Sequence, residues 1–162
     1  MRAQQYIESD RHQEVASLLV PIVDKLLLLP NVTVAEIVPV AQVSPVADGP
    51  DWLLGEFVWR EIKLPLISYE LLNGNSKPSL NARCRIAVLN TTGESDDLGF
   101  IAVLTQGLPR LARITPDEIV ENSDAPSDTY DDMAISWSGE LATIPSVARI
   151  EQAYLAARKD FH

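Results

Sequence analysis

A mainly β fold is predicted by three features of this chain. Short apolar runs recur along its length, each ended by a cluster of turn residues drawn from 11 prolines, 7 glycines and many Asn, Asp and Ser. Only one segment, near the C-terminus, spaces its apolar residues as a helix does. At 162 residues and 46% hydrophobic content, the chain is long and apolar enough to fill the core of one domain.

Val15 to Val23 and Leu26 to Leu29 flank Asp24-Lys25 and are predicted as a tight hairpin. The competing helix would carry Pro21 in its interior, where the ring removes a backbone hydrogen bond and forces a kink. Val32 to Val38 is rich in β-branched residues and reads as a strand, or as a short helical turn leading into one. Pro39, Pro45, Gly49 and Pro50 punctuate a loop. Trp52 to Tyr69 (WLLGEFVWREIKLPLISY) is the central hairpin: a strand, a turn at Arg60-Glu61, and a second strand through Leu64-Pro65-Leu66-Ile67. Tyr69 to Leu72 closes it with a helical turn, and Asn73 to Asn81 reads as a mobile loop by composition.

Arg83 to Leu89 is the next strand, Thr91 to Asp97 a hairpin loop, and Gly99 to Thr105 the returning strand. Gly107-Leu108-Pro109 marks a turn or bulge before a short strand from Arg110 to Ile114. Thr115-Pro116 resembles a helix start, a cap residue followed by proline at the first helical position, good for a single turn. Glu121 to Asp132 is polar and unpatterned. Met133 to Ile144 holds a last pair of strands around Ser138-Gly139. Pro145-Ser146 then opens an amphipathic helix with Val147, Ile150, Tyr154 and Leu155 on one face. Residues 1–13 read as a flexible N-terminal segment and residues 14–162 as one domain.

A formal net charge of -10 argues against nucleic acid, whose phosphates need clustered Lys and Arg, and against an anionic membrane surface. The acidic excess suits plain solubility or a basic protein partner. Cys84 is the only cysteine, which fits a reducing compartment. The N-terminal residues lack the apolar stretch of a secretion signal. The apolar run from Val15 to Pro30 is interrupted by Pro21 and Asp24-Lys25, and is shorter than the roughly 20 residues that span a bilayer. A cytoplasmic protein without membrane insertion is expected.

Catalytic chemistry finds little support. Nucleophilic catalysis needs a base beside the nucleophile, and the only histidines, His12 and His162, stand at opposite ends of the chain. The carboxylates Asp124, Asp128, Asp131 and Asp132 lack the glycine and closing glutamate of a calcium loop, so a solvated acidic loop is expected there, as for Glu94, Asp96 and Asp97. Gly99 and Gly107 do not form a phosphate-cradling loop. No enzyme, metal or cofactor is expected. A missed active site would show itself as a deep pocket with convergent carboxylates. Trp59-Arg60 sits where the hairpin tip would be exposed, and both residue types are enriched at interface hot spots. The alternative for Trp59 is a core position, with Arg60 an ordinary solvated turn charge.

The order of these segments resembles the CheW-like domain, the coupling module of bacterial chemosensory systems, over about Val15 to Leu155. Leu26 to Pro30 followed by Val34-Ala35-Glu36-Ile37 resembles the family's second strand and its Val-x-Glu-Ile segment. Leu53-Leu54-Gly55 with Val58-Trp59-Arg60 is similar to the Gly-x-x-x-Leu-Arg-Gly hairpin, and Leu64 to Ile67 to the Pro-Val-Ile element. Arg85 to Leu89, Gly99 to Ile101 and Leu108 to Ile114 follow in the same order. The chain departs at Glu61, where the family has glycine, and at Ser68 and Gln106, where it has acidic residues. Such departures suit a divergent branch, the ChpC-like coupling proteins of type IV pilus systems.

The resemblance implies two SH3-like five-stranded β-barrel subdomains sharing a hydrophobic core, with short helical turns and a C-terminal helix. It implies a non-catalytic adaptor binding a CheA-type histidine kinase and a methyl-accepting chemoreceptor, with twitching motility as its output. Carried over by position, Val34, Glu36, Gly55 and Arg60 fall in the segments that contact the receptor or shape its site, with Trp59 and Glu61 beside them. An orphan β module binding an unrelated basic or pilus-assembly component is the alternative.

Overall fold

The computed structural model describes residues 14–161. The N-terminal segment expected to be flexible lies outside the described residues, as do His12 and His162. Among the described residues the strands run β1 (Val15–Ile22), β2 (Lys25–Pro30), β3 (Val34–Pro39), β4 (Leu53–Trp59), β5 (Ile62–Ile67), β6 (Arg85–Asn90), β7 (Phe100–Thr105), β8 (Arg110–Ile114), β9 (Ile119–Glu121), β10 (Asp131–Trp137) and β11 (Glu140–Pro145). Two helices, α1 (Tyr69–Leu72) and α2 (Val147–Arg158), follow β5 and β11. Single 3-10 turns at Asn31–Thr33 and Pro116–Glu118 lead into β3 and β9.

The first sheet has the order β8-β1-β2-β11-β10-β9 and the second β3-β6-β7-β5-β4. Neighbours are antiparallel except where β2 lies beside β11, with Leu27 opposite Thr143, and β5 beside β7, with Leu66 opposite Ala102. The first subdomain is therefore assembled from the two ends of the described chain, with β3 to β7 between them. The second has the five strands expected. The first has six, because β9 adds to the edge of β10. At three residues β9 is too short to show an alternating pattern, so the sequence hid it.

The β1–β2 hairpin turns one residue earlier than expected, at Val23-Asp24, with Ile22 paired to Lys25. Asp24 takes a left-handed conformation, φ 59°, that aspartate tolerates better than most residues, and Lys25 is freed to join the strand. Pro21 falls where β1 has run past the end of β8, and its carbonyl accepts from the Gln106 N–H at 2.8 Å.

Three apolar clusters explain why so many strands lack alternation. Leu19, Leu28, Ala112, Ile114, Ile135 and Ala142 meet inside the first sheet. Side chains from β8 and β10 reach one cluster only if that sheet curls around it. Phe57, Leu64, Leu66, Ile86, Val88 and Leu104 do the same within the second. The alternate residues of the same strands, Val20, Leu27 and Leu29 from one side and Ile67, Leu89, Ile101 and Val103 from the other, form a core shared by both subdomains. Walls buried on both faces read as continuous apolar runs, as Leu26 to Leu29 does. Each fully buried Leu or Ile contributes roughly 1.5–3 kcal/mol by leaving water.

Helix α2 closes the shared core. Ser146 caps it, its Oγ accepting from the Arg149 N–H at 3.3 Å, and Ile150 and Tyr154 point inward as the spacing predicts. Glu151 is fully buried on the same face, which the apolar pattern does not reveal. Its carboxylate accepts from the Thr92 N–H, from the Thr92 hydroxyl at 3.1 Å and from the Glu94 N–H at 3.4 Å, tying the β6–β7 loop to the helix.

Candidate protein-docking site

The central hairpin pairs Trp59 with Ile62 across a two-residue turn at Arg60-Glu61. Both turn residues are left-handed, φ 47° and 67°, the mirror-image turn whose twist matches that of the flanking strands. Glycine ordinarily fills such positions, and a side chain there costs on the order of 1 kcal/mol. Of the two outcomes that Glu61 allows, a strained turn or a different one, the chain adopts the strained turn. Glu61→Gly is therefore expected to stabilise the fold by roughly 1 kcal/mol, raising the thermal midpoint by a few degrees. A lower midpoint in that variant would show that the turn stores no strain.

The strained tip holds a small constellation. Trp59 is 7% exposed and packs in the second subdomain's core, its ring edge-to-face with Phe100 at 4.9 Å between centroids. The core alternative for Trp59 thus holds, and the exposed tip consists of Arg60 and Glu61. The indole is not wholly sealed in: its Nε1–H donates to Glu36 Oε1 at 2.8 Å. Arg60 Nη2 donates to the same oxygen at 3.1 Å, and the guanidinium lies over the indole, 4.8 Å from the ring centroid. The Arg60 and Glu36 side chains are 67% and 40% exposed, so the pair adds little to stability. What it does is hold a planar cation at a fixed place on the surface, beside the exposed Glu61.

Val34 and Gly55 stand apart from this group. A β-bulge between Val34 and Glu36 sets Val34 opposite Leu89 and Glu36 opposite Val88. The extra residue turns Val34 toward the shared core and Glu36 toward the opposite face, where strict alternation would have kept them together. Gly55 is buried at a second bulge, φ 151°, and a Cβ there would meet the Ser44 carbonyl oxygen and Val43 Cγ1 at 2.5 Å. Its lack of a side chain lets the segment before β4 pair with the hairpin, Ser44 exchanging two 2.8 Å backbone bonds with Glu56. Gly55 shapes the hairpin rather than touching the tip.

A second polar group, not anticipated from the sequence, bolts the subdomains together. Asp131 was expected in a solvated loop; it is 5% exposed. It accepts from the Tyr69 hydroxyl at 2.5 Å, from Lys25 Nζ at 2.9 Å and from the Asp128 N–H at 2.8 Å. Lys25 also donates to Asp128 at 2.8 Å. From α1, Glu70 accepts from the Val23 N–H at 2.9 Å, and Ser68 caps that helix by accepting from the Leu71 N–H at 3.1 Å. Burial works against the Lys25 charge, but the two carboxylates outweigh it and raise its pKa. Burial, then Asp131, pushes the Tyr69 hydroxyl far above the ordinary phenol range. The Lys25 hydrogen bond holds Asp128 below the usual carboxylate value.

Of the two other departures from the family pattern, Ser68 keeps a capping role that an acidic residue also performs. Gln106 donates to the Ser79 carbonyl at 3.2 Å. Among the described residues no group of three His, Cys, Asp and Glu could hold a metal ion, and no helix is long and apolar enough to cross a membrane.

The CheW-like domain matches residues 16–153 of the chain. Among solved structures, the scaffolding protein TtCheW from Thermoanaerobacter tengcongensis is similar, with a TM-score of 0.72 over 84% of this chain and 86% of that one, at 13% identity. At that identity the likeness is one of fold. No curated protein matches the chain.

Proposed function

Because the chain belongs to the CheW-like domain family, we propose that it is a non-catalytic adaptor coupling a CheA-type histidine kinase to a methyl-accepting chemoreceptor in the bacterial cytoplasm. The observation that carries the proposal is the Glu36–Trp59–Arg60 constellation. A buried indole and a shared carboxylate oxygen fix one guanidinium on an exposed, strained turn. Strain is retained where a surface must be presented in one conformation. A planar cation so fixed can grip a carboxylate on a partner in two places at once, with little rotamer entropy left to lose. The mechanism is geometric: two surfaces hold kinase and receptor together, so receptor state biases kinase activity. We assign the output to type IV pilus twitching motility, in line with the departures at Glu61, Ser68 and Gln106.

Arg60→Ala tests the surface. Titration with the receptor's cytoplasmic tip fragment is expected to give a Kd raised about tenfold, the size of a moderate hot spot. The unfolding midpoint should barely move, because the ion pair it breaks is exposed. An unchanged Kd would remove the hairpin tip from the receptor contact. Capture of the cognate kinase's regulatory domain by the same variant should be unaffected, which separates the two partners.

A further inference from the structure

Two adjoining cavities meet over the β1–β2 turn and share Asp24 and Lys25. The first, about 600 Å³, is polar, walled by Asp24, Lys25, Asn75 and Asp128 with Glu70 among its lining. The second, about 470 Å³, is apolar, lined by Ile22, Leu26, Ala134 and Leu141. Together they make one trough, wet at one end and greasy at the other, that shares no residue with the Glu36–Trp59–Arg60 group.

Its charge is one-sided. Between Arg113 and Arg149 the chain carries eight carboxylates and no lysine or arginine. Among the described residues Lys25 is the only cation lining the trough, and its ammonium is already held by Asp128 and Asp131. Asp24, raised on its left-handed turn between the two cavities, is exposed. An anion is repelled from such a place. A bare cation would satisfy the polar end but leave Leu141, which is 51% exposed, uncovered. An occupant that fits both ends must carry a positive charge and apolar surface side by side.

We propose that this trough is a docking surface for a basic segment of a partner protein, in which an Arg or Lys side chain seats between Asp24 and Asp128 and a neighbouring Leu, Ile or Met lies against Leu26, Ala134 and Leu141. The joint size of the cavities suits a few residues of peptide rather than one side chain. The carboxylates steer and orient the segment, and the apolar end supplies the contact that outlasts salt.

The probe is the acetylated, amidated tetrapeptide Arg-Leu-Leu-Arg, titrated into the isotopically labelled full chain and followed by amide chemical shifts, with Glu-Leu-Leu-Glu as its counterpart. Saturable shifts are expected at Asp24, Lys25, Asn75 and Leu141, with the acidic peptide at least tenfold weaker. Asp24→Asn preserves the left-handed turn, and Leu141→Lys alters an exposed side chain, so both variants should fold. Asp24→Asn is expected to raise the Kd at least threefold and Leu141→Lys about tenfold. Shifts scattered over carboxylates elsewhere, equal binding of both peptides, no binding at all, or an unchanged Kd in both variants would overturn the proposal.

Discussion

Asp131→Ala is expected to lower the unfolding free energy by roughly 3 kcal/mol. The substitution strips the Tyr69 hydroxyl, one side of the Lys25 ammonium and the Asp128 N–H of their shared acceptor at once. Urea titration gives the measure. Asp131→Asn keeps the shape and one acceptor oxygen, so it should lose less. A loss below about 1 kcal/mol in the alanine variant would mean that the junction does not hold the subdomains together.

The same junction sets the pH range of stability. Asp128 has a lowered folded pKa, so its contribution is complete above the unfolded aspartate value, ~4, and fades as pH falls through the folded value. Lys25 and Tyr69 have raised folded pKa values. Their contributions are complete below the unfolded values, ~10, and are lost as pH rises through the folded ones. In Asp131→Ala the alkaline fall should flatten, since the carboxylate that helps raise both groups is gone. Thermal midpoints between pH 8 and 11, compared for the two proteins, would reveal this.

Gly55→Val should cost at least about 2 kcal/mol and shift the peptide strand it supports. Both the backbone conformation, φ 151°, and the 2.5 Å approach of the Ser44 carbonyl oxygen exclude a side chain, and neither obstacle is the movable end of a long residue. Amide exchange offers a specific readout: the Ser44 and Glu56 N–H groups, bonded to one another's carbonyls at 2.8 Å, should lose protection first. Retained protection with full stability would show that the segment can step aside.

Turn chemistry made much of the architecture readable. Arg60-Glu61 and Ser138-Gly139 place left-handed residues between apolar runs and a hairpin stands at each, while the first hairpin, expected at Asp24-Lys25, turns at Val23-Asp24 with Asp24 left-handed. Ser146 and the apolar spacing after it located α2 for the same local reason. Partnerships across the chain were not readable. Asp131 and Glu151 look like surface carboxylates because their hydrogen-bond partners, Tyr69 and Thr92, lie some sixty residues away. The bulge that turns Val34 from Glu36 leaves no mark in a run of β-branched residues. Glu36 is named by resemblance and Trp59-Arg60 by their place at the hairpin tip, but that one carboxylate oxygen serves both donors is a product of packing.

The parallel seam between β2 and β11 has a consequence for biosynthesis. Leu27 leaves the ribosome long before Thr143 exists, so the first sheet has no way to close until almost all of the described chain has been translated. Contacts of such long sequence separation slow folding, and the leucine-rich strand beside the seam, paired with β1 on one edge, spends that interval with its other edge open. The nascent protein is thus most exposed to aggregation or to helper proteins late in its synthesis, when only its last strands and closing helix are missing.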